Sequence, residues 1–571
     1  MKLYIPFNVA GISGLWLLMH STVWADVLPG SVLPETVTKA LVQQQPQPTQ
    51  VTPSFVAPPQ KEETPGGEAA KKIKFKLNGI ILVGNHVFTT EQLLPIYKDK
   101  LHKVITVADL FTIVQNITNY YRNSGYIISR AILPPQHVKG GVVKIQIIEG
   151  FLDKVYVTGT PHGAKCLIQA YGQKISQCHP LEISRMEYYL LVANETPGTQ
   201  VKAVLAPSKN KTGAADLSLL TQNKMFSGYV SYDKYGTRYI GPQQMTANIA
   251  GTSLIASGDA AQFTVTKTPK GGELTFMDLN YNLPIMAEGA RVLIGGTRTQ
   301  THPLFVLRPA QIDGLTKNYY ANFSFPLIRT RAKTLTLQVA FNYLDTYVTT
   351  FGQQLYTDHL RPLGVGLSFN FADQYAGSNS FYGDFRQGLP ILGYTSNTDP
   401  QTARTSHPGG RGDFSKIDLS ASRLQGLKGS FSLYGLLRGQ WAFAELLASE
   451  QYTFGGSQLG RGYDVAELIG DKGLAGTLEL RYDLGIGKEL LQSLQFYAFY
   501  DAGKIWNFKN PGGSPLILSG TSAGAGVRFY CMKYVSGNLM WTQTLTKQVA
   551  AEELIGDGRR PRVFFSAIAS F

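Results

Sequence analysis

Cysteine is scarce in this chain, three in 571 residues, and the three form neither a C-x-x-C pair nor a Cys/His cluster, so no motif supports a metal site. A phosphate-cradling G-x-x-x-x-G-K-[ST] loop is missing too, and with it any sign of nucleotide-driven work. The surplus of positive charge, formally +14, is not gathered into Lys/Arg runs interleaved with base-stacking aromatics, so no nucleic-acid partner is expected. Beyond the first 25 residues there is no window of 18 consecutive apolar residues, which excludes a membrane-spanning helix. Yet the composition, 43% hydrophobic and 11% aromatic, excludes a disordered chain. If such a chain sits in a bilayer, only a closed β-barrel pairs all its backbone groups without helices.

The first residues supply a route of export. Lys2 precedes an apolar run from Val9 to Met19, and Val23-Trp24-Ala25 fits a signal-peptidase site, so residues 1–25 read as a signal peptide. The run is shorter than the roughly 20 residues a membrane anchor needs. Outside the cytoplasm, the positive charge meets anionic lipid head groups or lines a wet lumen. An oxidising compartment allows Cys166 and Cys178 to pair as a candidate disulfide, though a helix starting near His162 would separate them unless the chain doubles back; Cys531 is left over.

Residues 26–72 are rich in Pro, Gln, Thr, Glu and Lys, with Pro46, Pro48, Pro53, Pro58, Pro59 and Pro65, and read as a linker. Within it Leu33, Val37 and Leu41 recur every fourth residue around Pro34, the pattern of a short amphipathic helix, with plain disorder as the alternative. Two similar modules follow, residues 73–150 and 151–222, each with the order β-α-α-β-β. In the first, Thr106 and Asp109 make a capping box, Leu110, Ile113, Val114, Ile117 and Tyr121 make an apolar stripe, and Gly125 stops the helix. This layout, closing on Gly140-Gly141 and Glu149-Gly150, resembles the polypeptide-transport-associated (POTRA) module.

After Lys224 helical periodicity ends, and segments such as Ala261–Thr266, Leu335–Val339 and Thr477–Asp483 alternate apolar residues with Thr, Gln, Glu or Arg. That pattern sets lipid on one face and water on the other. At roughly 9 to 11 residues per crossing plus connections, residues 223–571 fit an even number of strands near 16. Val563, Phe565, Ala567, Ala569 and Phe571 share one strand face, and a terminal Phe571 resembles the assembly signal of outer-membrane barrels.

Between two alternating segments stands Gly460-Arg461-Gly462-Tyr463-Asp464. Together with the signal peptide, linker, paired modules and barrel, this turn resembles the lumen-entering loop of two-partner secretion transporters, the TpsB or ShlB/FhaC/HecB haemolysin secretion and activation family. Further matching stretches are Tyr229–Gly236, Gln440-Trp441-Ala442, Ser449-Glu450-Gln451 and Phe454-Gly455-Gly456. The family's loop usually reads VRGY, so Gly460 is a departure that removes a stiffening side chain. Phe499, Asp501 and Gly503 match the family's F-x-D-x-G strand motif; Asp501 shares a face with Gln495, Tyr497 and Phe499, and a guanidinium fork suits its carboxylate, so an Arg461–Asp501 ion pair is expected.

The resemblance implies a mainly β protein: a 16-stranded antiparallel transmembrane barrel preceded by two periplasmic POTRA domains, in the outer membrane of a Gram-negative bacterium. It implies no enzyme and no cofactor. Its partners would be an unfolded, exported protein with a filamentous β-helical body, the lipid and lipopolysaccharide around the barrel, and the barrel-assembly machinery. Gly520-Thr-Ser522-Ala-Gly524 matches a nucleophile elbow, but Ala525–Tyr530 reads as continuing strand where an elbow enters a helix. Arg411-Gly412-Asp413 reads as loop chemistry.

Overall fold

The computed structural model describes residues 28–44, 55–56, 67–160, 162–269, 271–396, 404–508, 516–532 and 534–571; the expected signal peptide lies outside them. From Phe226 onward, seventeen strand segments close into one antiparallel cylinder. Two of these, Gln353–Leu360 and Pro362–Ala372, pair with successive parts of a single neighbour, Lys333–Thr350. They are one strand broken at Arg361, so the barrel has sixteen strands. The first strand, Phe226–Asp233, closes on the last, Arg562–Ser570, and Phe571 extends that seam by exchanging backbone bonds of 2.9 and 3.2 Å with Gly228.

Burial along the strands is inverted relative to a water-soluble sheet pair. Thr264, Asp278, Thr297, Thr316, Asp384, Glu479 and Asp501 are buried, whereas Phe263, Leu279, Ile294, Leu419, Leu437 and Leu478 are exposed. Polar residues inside and apolar residues outside, at period two, suit a cylinder with lipid around it.

Two α/β modules sit at one end. The first pairs Gly79–Val83, Val142–Ile148 and Arg130–Ile132 in a sheet. The helix Val107–Asn123 packs on it through Leu110, Ile113, Ile117 and Tyr121, and starts at a complete Thr106/Asp109 capping box. Glu149 is the clasp: one oxygen accepts from the His86 and Val87 amides (2.7 and 2.8 Å) and from the Tyr121 hydroxyl (2.9 Å). The first helical place in this module's β-α-α-β-β order is filled by a single turn, Thr90–Leu93, followed by short 3-10 turns, because Pro95 cannot donate within a continuing helix. A further short helix, Gly67–Lys72, occupies the end of the span read as linker.

The second module covers a sheet of Thr199–Pro207, Ala214–Asn223 and Phe151–Thr160 with helices Lys165–Ser176 and Ile183–Asn194. It rests on three turns of the near rim. Tyr188 donates to the Glu288 and Pro326 carbonyls, Lys174 pairs with Glu288 at 2.8 Å, and Ser257 accepts from the Leu167 amide. Residues 55–56 lie in parallel against Ala203 and Val204, so linker backbone borders this sheet's outer edge.

The candidate disulfide is not formed; Cys166 and Cys178 are free thiols. Cys166 lies in the first turn of Lys165–Ser176 and Cys178 beyond its end. Twelve residues of helix rise about 18 Å, well beyond the roughly 7 Å that a disulfide spans between Cα atoms.

Within the barrel lies the helix Pro34–Gln44. Val32, Val37 and Leu41 pack with Tyr239, Ile240, Leu274 and Phe276, and Leu33 with Ile312, Val348 and Tyr356. Polar contacts fix the rest: Thr38 to Thr299 (2.6 Å), and Tyr356 to Glu35 (3.0 Å). The amphipathic stripe therefore faces wall residues of the lumen, which a free surface helix could not do.

Candidate functional site

Strands Phe431–Ala442 and Lys472–Gly485 are neighbours in the wall, and the 29 residues between them fold back into the lumen. A small hairpin, Tyr452–Phe454 with Leu468–Gly470, stiffens this excursion, and its tip is Gly460–Tyr463. Gly460 has φ +70°, and a Cβ there would stand 2.9 Å from the Phe454 ring. Glycine at this position thus permits a left-handed turn against a packed aromatic, a path closed to valine.

Arg461 is held from four sides. Its Nε and Nη2 donate to the two oxygens of Asp501 (3.1 and 2.9 Å), and its backbone amide donates to Asp501 Oδ2 at 2.8 Å. Nη1 donates to Glu479, and Nη2 also to Thr477 Oγ1 at 2.7 Å. The guanidinium lies 3.5 Å from the Phe499 ring centroid. Arg461 is 6% exposed, Glu479 2% and Asp501 0%, so water competes little for these bonds. A planar fork sandwiched by a bidentate carboxylate and an aromatic face is a geometry lysine cannot copy.

The rest of the tip is fitted to the wall by glycines. Gly462 approaches Ser522 so closely that a Cβ would sit 2.8 Å from its side chain, and its amide donates to Ser522 Oγ at 3.3 Å. Tyr463 donates to the Thr521 carbonyl at 3.0 Å, and Arg562 joins the Gly462 carbonyl (3.1 Å) to Asp464 (2.6 Å). Gly503 opens the seat of Phe454, whose ring would be 2.4 Å from a Cβ there. Ser522, in the middle of strand Ile517–Cys531, is a docking hydroxyl for the tip. Arg411 and Asp413 pair with each other at 2.7 Å in the far-rim loops.

Arg461, Asp501, Phe499 and Gly503 are thus brought together around one contact. Sequence reasoning missed Glu479, which also accepts from Arg481 (2.7 Å) and Arg528 (2.8 Å), and missed Thr477, Ser522 and Arg562. The available signal was the polar face of Thr477–Asp483; assigning its partner needed the register that sets Thr477 opposite Asp501.

The loop's base has its own lock. Glu450 pairs with Lys416 (2.9 Å) and Arg386 (3.4 Å), and Gln440 donates to the Glu450 and Asp471 carbonyls, both at 3.0 Å. The lumen helix reaches this same loop, Lys39 donating to the Gln451 carbonyl (3.1 Å) and Gln458 to the Gln43 carbonyl (3.0 Å). Between helix, loop and wall remains a polar cavity of about 450 Å³ bordered by Lys39, Asp384, Arg386, Asp418 and Arg438.

Known proteins resemble this chain in sequence and in fold. Residues 75–150 match the model of the ShlB-type POTRA domain. The chain is 25% identical to the heme/hemopexin transporter protein HuxB of Haemophilus influenzae (strain 86-028NP), covering 79% of this chain and 82% of that one. It is 24% identical to the outer membrane transporter CdiB of Dickeya dadantii (strain 3937), over 75% of each. The solved structure of CdiB from Escherichia coli superposes with a TM-score of 0.72 at 18% identity, covering 93% of this chain and 95% of that one. Residues 215–527 match the model of the haemolysin secretion/activation protein ShlB/FhaC/HecB, more than half of the sequence, and the chain belongs to that family.

Proposed function

We propose that the arginine-tipped loop and the lumen helix form the closed gate of a polypeptide conduit. The chain is an outer-membrane transporter of the two-partner secretion type, with its POTRA domains in the periplasm. The observation that carries the gate is the joint seating of loop and helix: Lys39 and Gln43 contact the same loop whose Arg461 is bound to Asp501 and Glu479. Neither can leave without disturbing the other. Removing one member of a largely desolvated ion pair costs about 3 to 5 kcal/mol, and the stranded partner charge then favours another arrangement of the wall.

Capture precedes passage. In the first POTRA domain Gly79–Val83 is an edge strand with Ile81 and Val83 exposed, and its outer backbone groups are available to an extended segment. Strand addition there binds an unfolded partner through main-chain bonds without demanding one sequence. The partner is an exported protein, of the filamentous β-helical kind that the family resemblance implies, which threads the lumen and folds outside.

Arg461→Ala tests the gate. The variant is expected to reach the membrane as a folded barrel, shown by heat-dependent mobility in electrophoresis, while export of the partner falls to background. Export at the wild-type level by this variant would remove Arg461 from the mechanism.

A further inference from the structure

We infer that the outer wall carries a binding site for a phosphorylated, acylated glycolipid of the outer leaflet, the lipid A class, at the extracellular rim beside the gate loop. The site is a groove of about 650 Å³ on the lipid-facing surface, bordered by Ile417, Leu419, Trp441, Lys472, Leu474, Trp506 and Phe508. Strand register sets its floor. In one row across the wall Ile417, Trp441, Lys472 and Trp506 stand side by side, and in the next row toward the membrane centre come Leu419, Gly439, Leu474 and Lys504. Thr477 and Glu479 bind Arg461 in the lumen, so Lys472 and Leu474, both at the opposite alternation of this strand, point outward. Asp501 likewise points inward, which turns Lys504 and Trp506 outward.

Gly439 is the missing tooth of the second row. Without a side chain it leaves a slot in the groove floor between Leu419 and Leu474, into which Leu474 Cδ1 leans, 3.4 Å from where a Cβ on Gly439 would stand. Above the slot Lys472 Nζ lies 4.1 Å from the Trp441 ring centroid and 4.0 Å from that of Phe508, and Lys504 Nζ lies 5.4 Å from that of Trp506. Neither lysine makes an ion pair among the described residues.

Two ammonium groups on a lipid-facing wall want an anion at the membrane surface. Long side chains lift their charge toward the head-group layer, and the aromatic faces hold the Lys472 ammonium in place while leaving its outer side open. Phosphates on a sugar head group supply the anion, and an attached acyl chain fills the Gly439 slot. Each lysine near an anionic surface contributes on its own, so the pair discriminates phosphorylated from neutral lipid.

The test uses the full chain in detergent, with hexa-acylated bisphosphoryl lipid A, its dephosphorylated form and inorganic phosphate as probes, read by native mass spectrometry. Wild type is expected to retain bisphosphoryl lipid A and to hold the dephosphorylated form about tenfold less or weaker. The Lys472→Gln/Lys504→Gln double variant should lose retention to the same extent, and Gly439→Leu should lose it with both lysines present. Each variant is checked for the heat-dependent mobility of a folded barrel. Equal retention by the double variant and wild type overturns the site. Inorganic phosphate bound as well as the lipid overturns the lipid assignment.

Discussion

Phe454 sits with its ring where Gly460, Gly503 and Gly520 have no side chains, so three separate backbones converge on one aromatic residue. This makes the tip's position a matter of shape as well as charge. Gly503→Val is expected to force the ring from its seat, a cost of about 1 to 3 kcal/mol for overpacking. The loop should then become accessible to protease on intact cells while the barrel still migrates as folded; a loop as protected as in wild type contradicts this account. Two members of the site were legible as motifs, the arginine turn and F-x-D-x-G, because each carries a fixed spacing. Glu479 was not, because an acidic residue on an alternating strand is one of several that face a wet lumen, and only the register with Phe499 and Asp501 singles it out.

Elements differ in how plainly they announce themselves. The helix Val107–Asn123 was readable from its cap to its stop, since Thr106, Asp109 and Gly125 act within a few residues of where they stand. Asp109 also gives that helix a pH dependence. The Lys100 ammonium, then the Thr106 amide and hydroxyl, hold its carboxyl down at about 2. A depressed acid stabilises the fold above its unfolded value near 4 and ceases to do so as pH falls through about 2. Protection of the amides at the start of this helix, relative to their intrinsic exchange at each pH, should therefore fall from about pH 4 downward, and Asp109→Asn should remove that dependence. An unchanged pH profile in the variant would show that the cap is not its source. By contrast, the break at Arg361 is marked in the sequence only by Pro362, which has no amide to give to a ladder. How the two pieces share the edge of Lys333–Thr350 shows only in the register.

At the scale of the whole molecule, the barrel was legible because burial on one face and lipid on the other leave a period-two trace along some 350 residues. The closeness of the lumen helix to the gate loop was not, since Lys39 and Gln451 are 412 residues apart and no pattern in either announces the other. That contact can be frozen or freed. Thr38 and Thr299 touch through their hydroxyls at 2.6 Å, so a Thr38→Cys/Thr299→Cys pair should oxidise and clamp the helix in the lumen. Export should stop under oxidising conditions and return with reductant; secretion at full rate with the bond formed would mean that cargo passes a seated helix. The parallel pairing of residues 55–56 with Ala203 and Val204 adds one consequence. Ten residues lie between Gln44 and Phe55, so the chain lets them stand at most about 40 Å apart. A helix acting as the proposed gate would, once displaced, stay at an effective concentration on the order of millimolar, so its reclosing would be an intramolecular event that needs no second copy and no new synthesis.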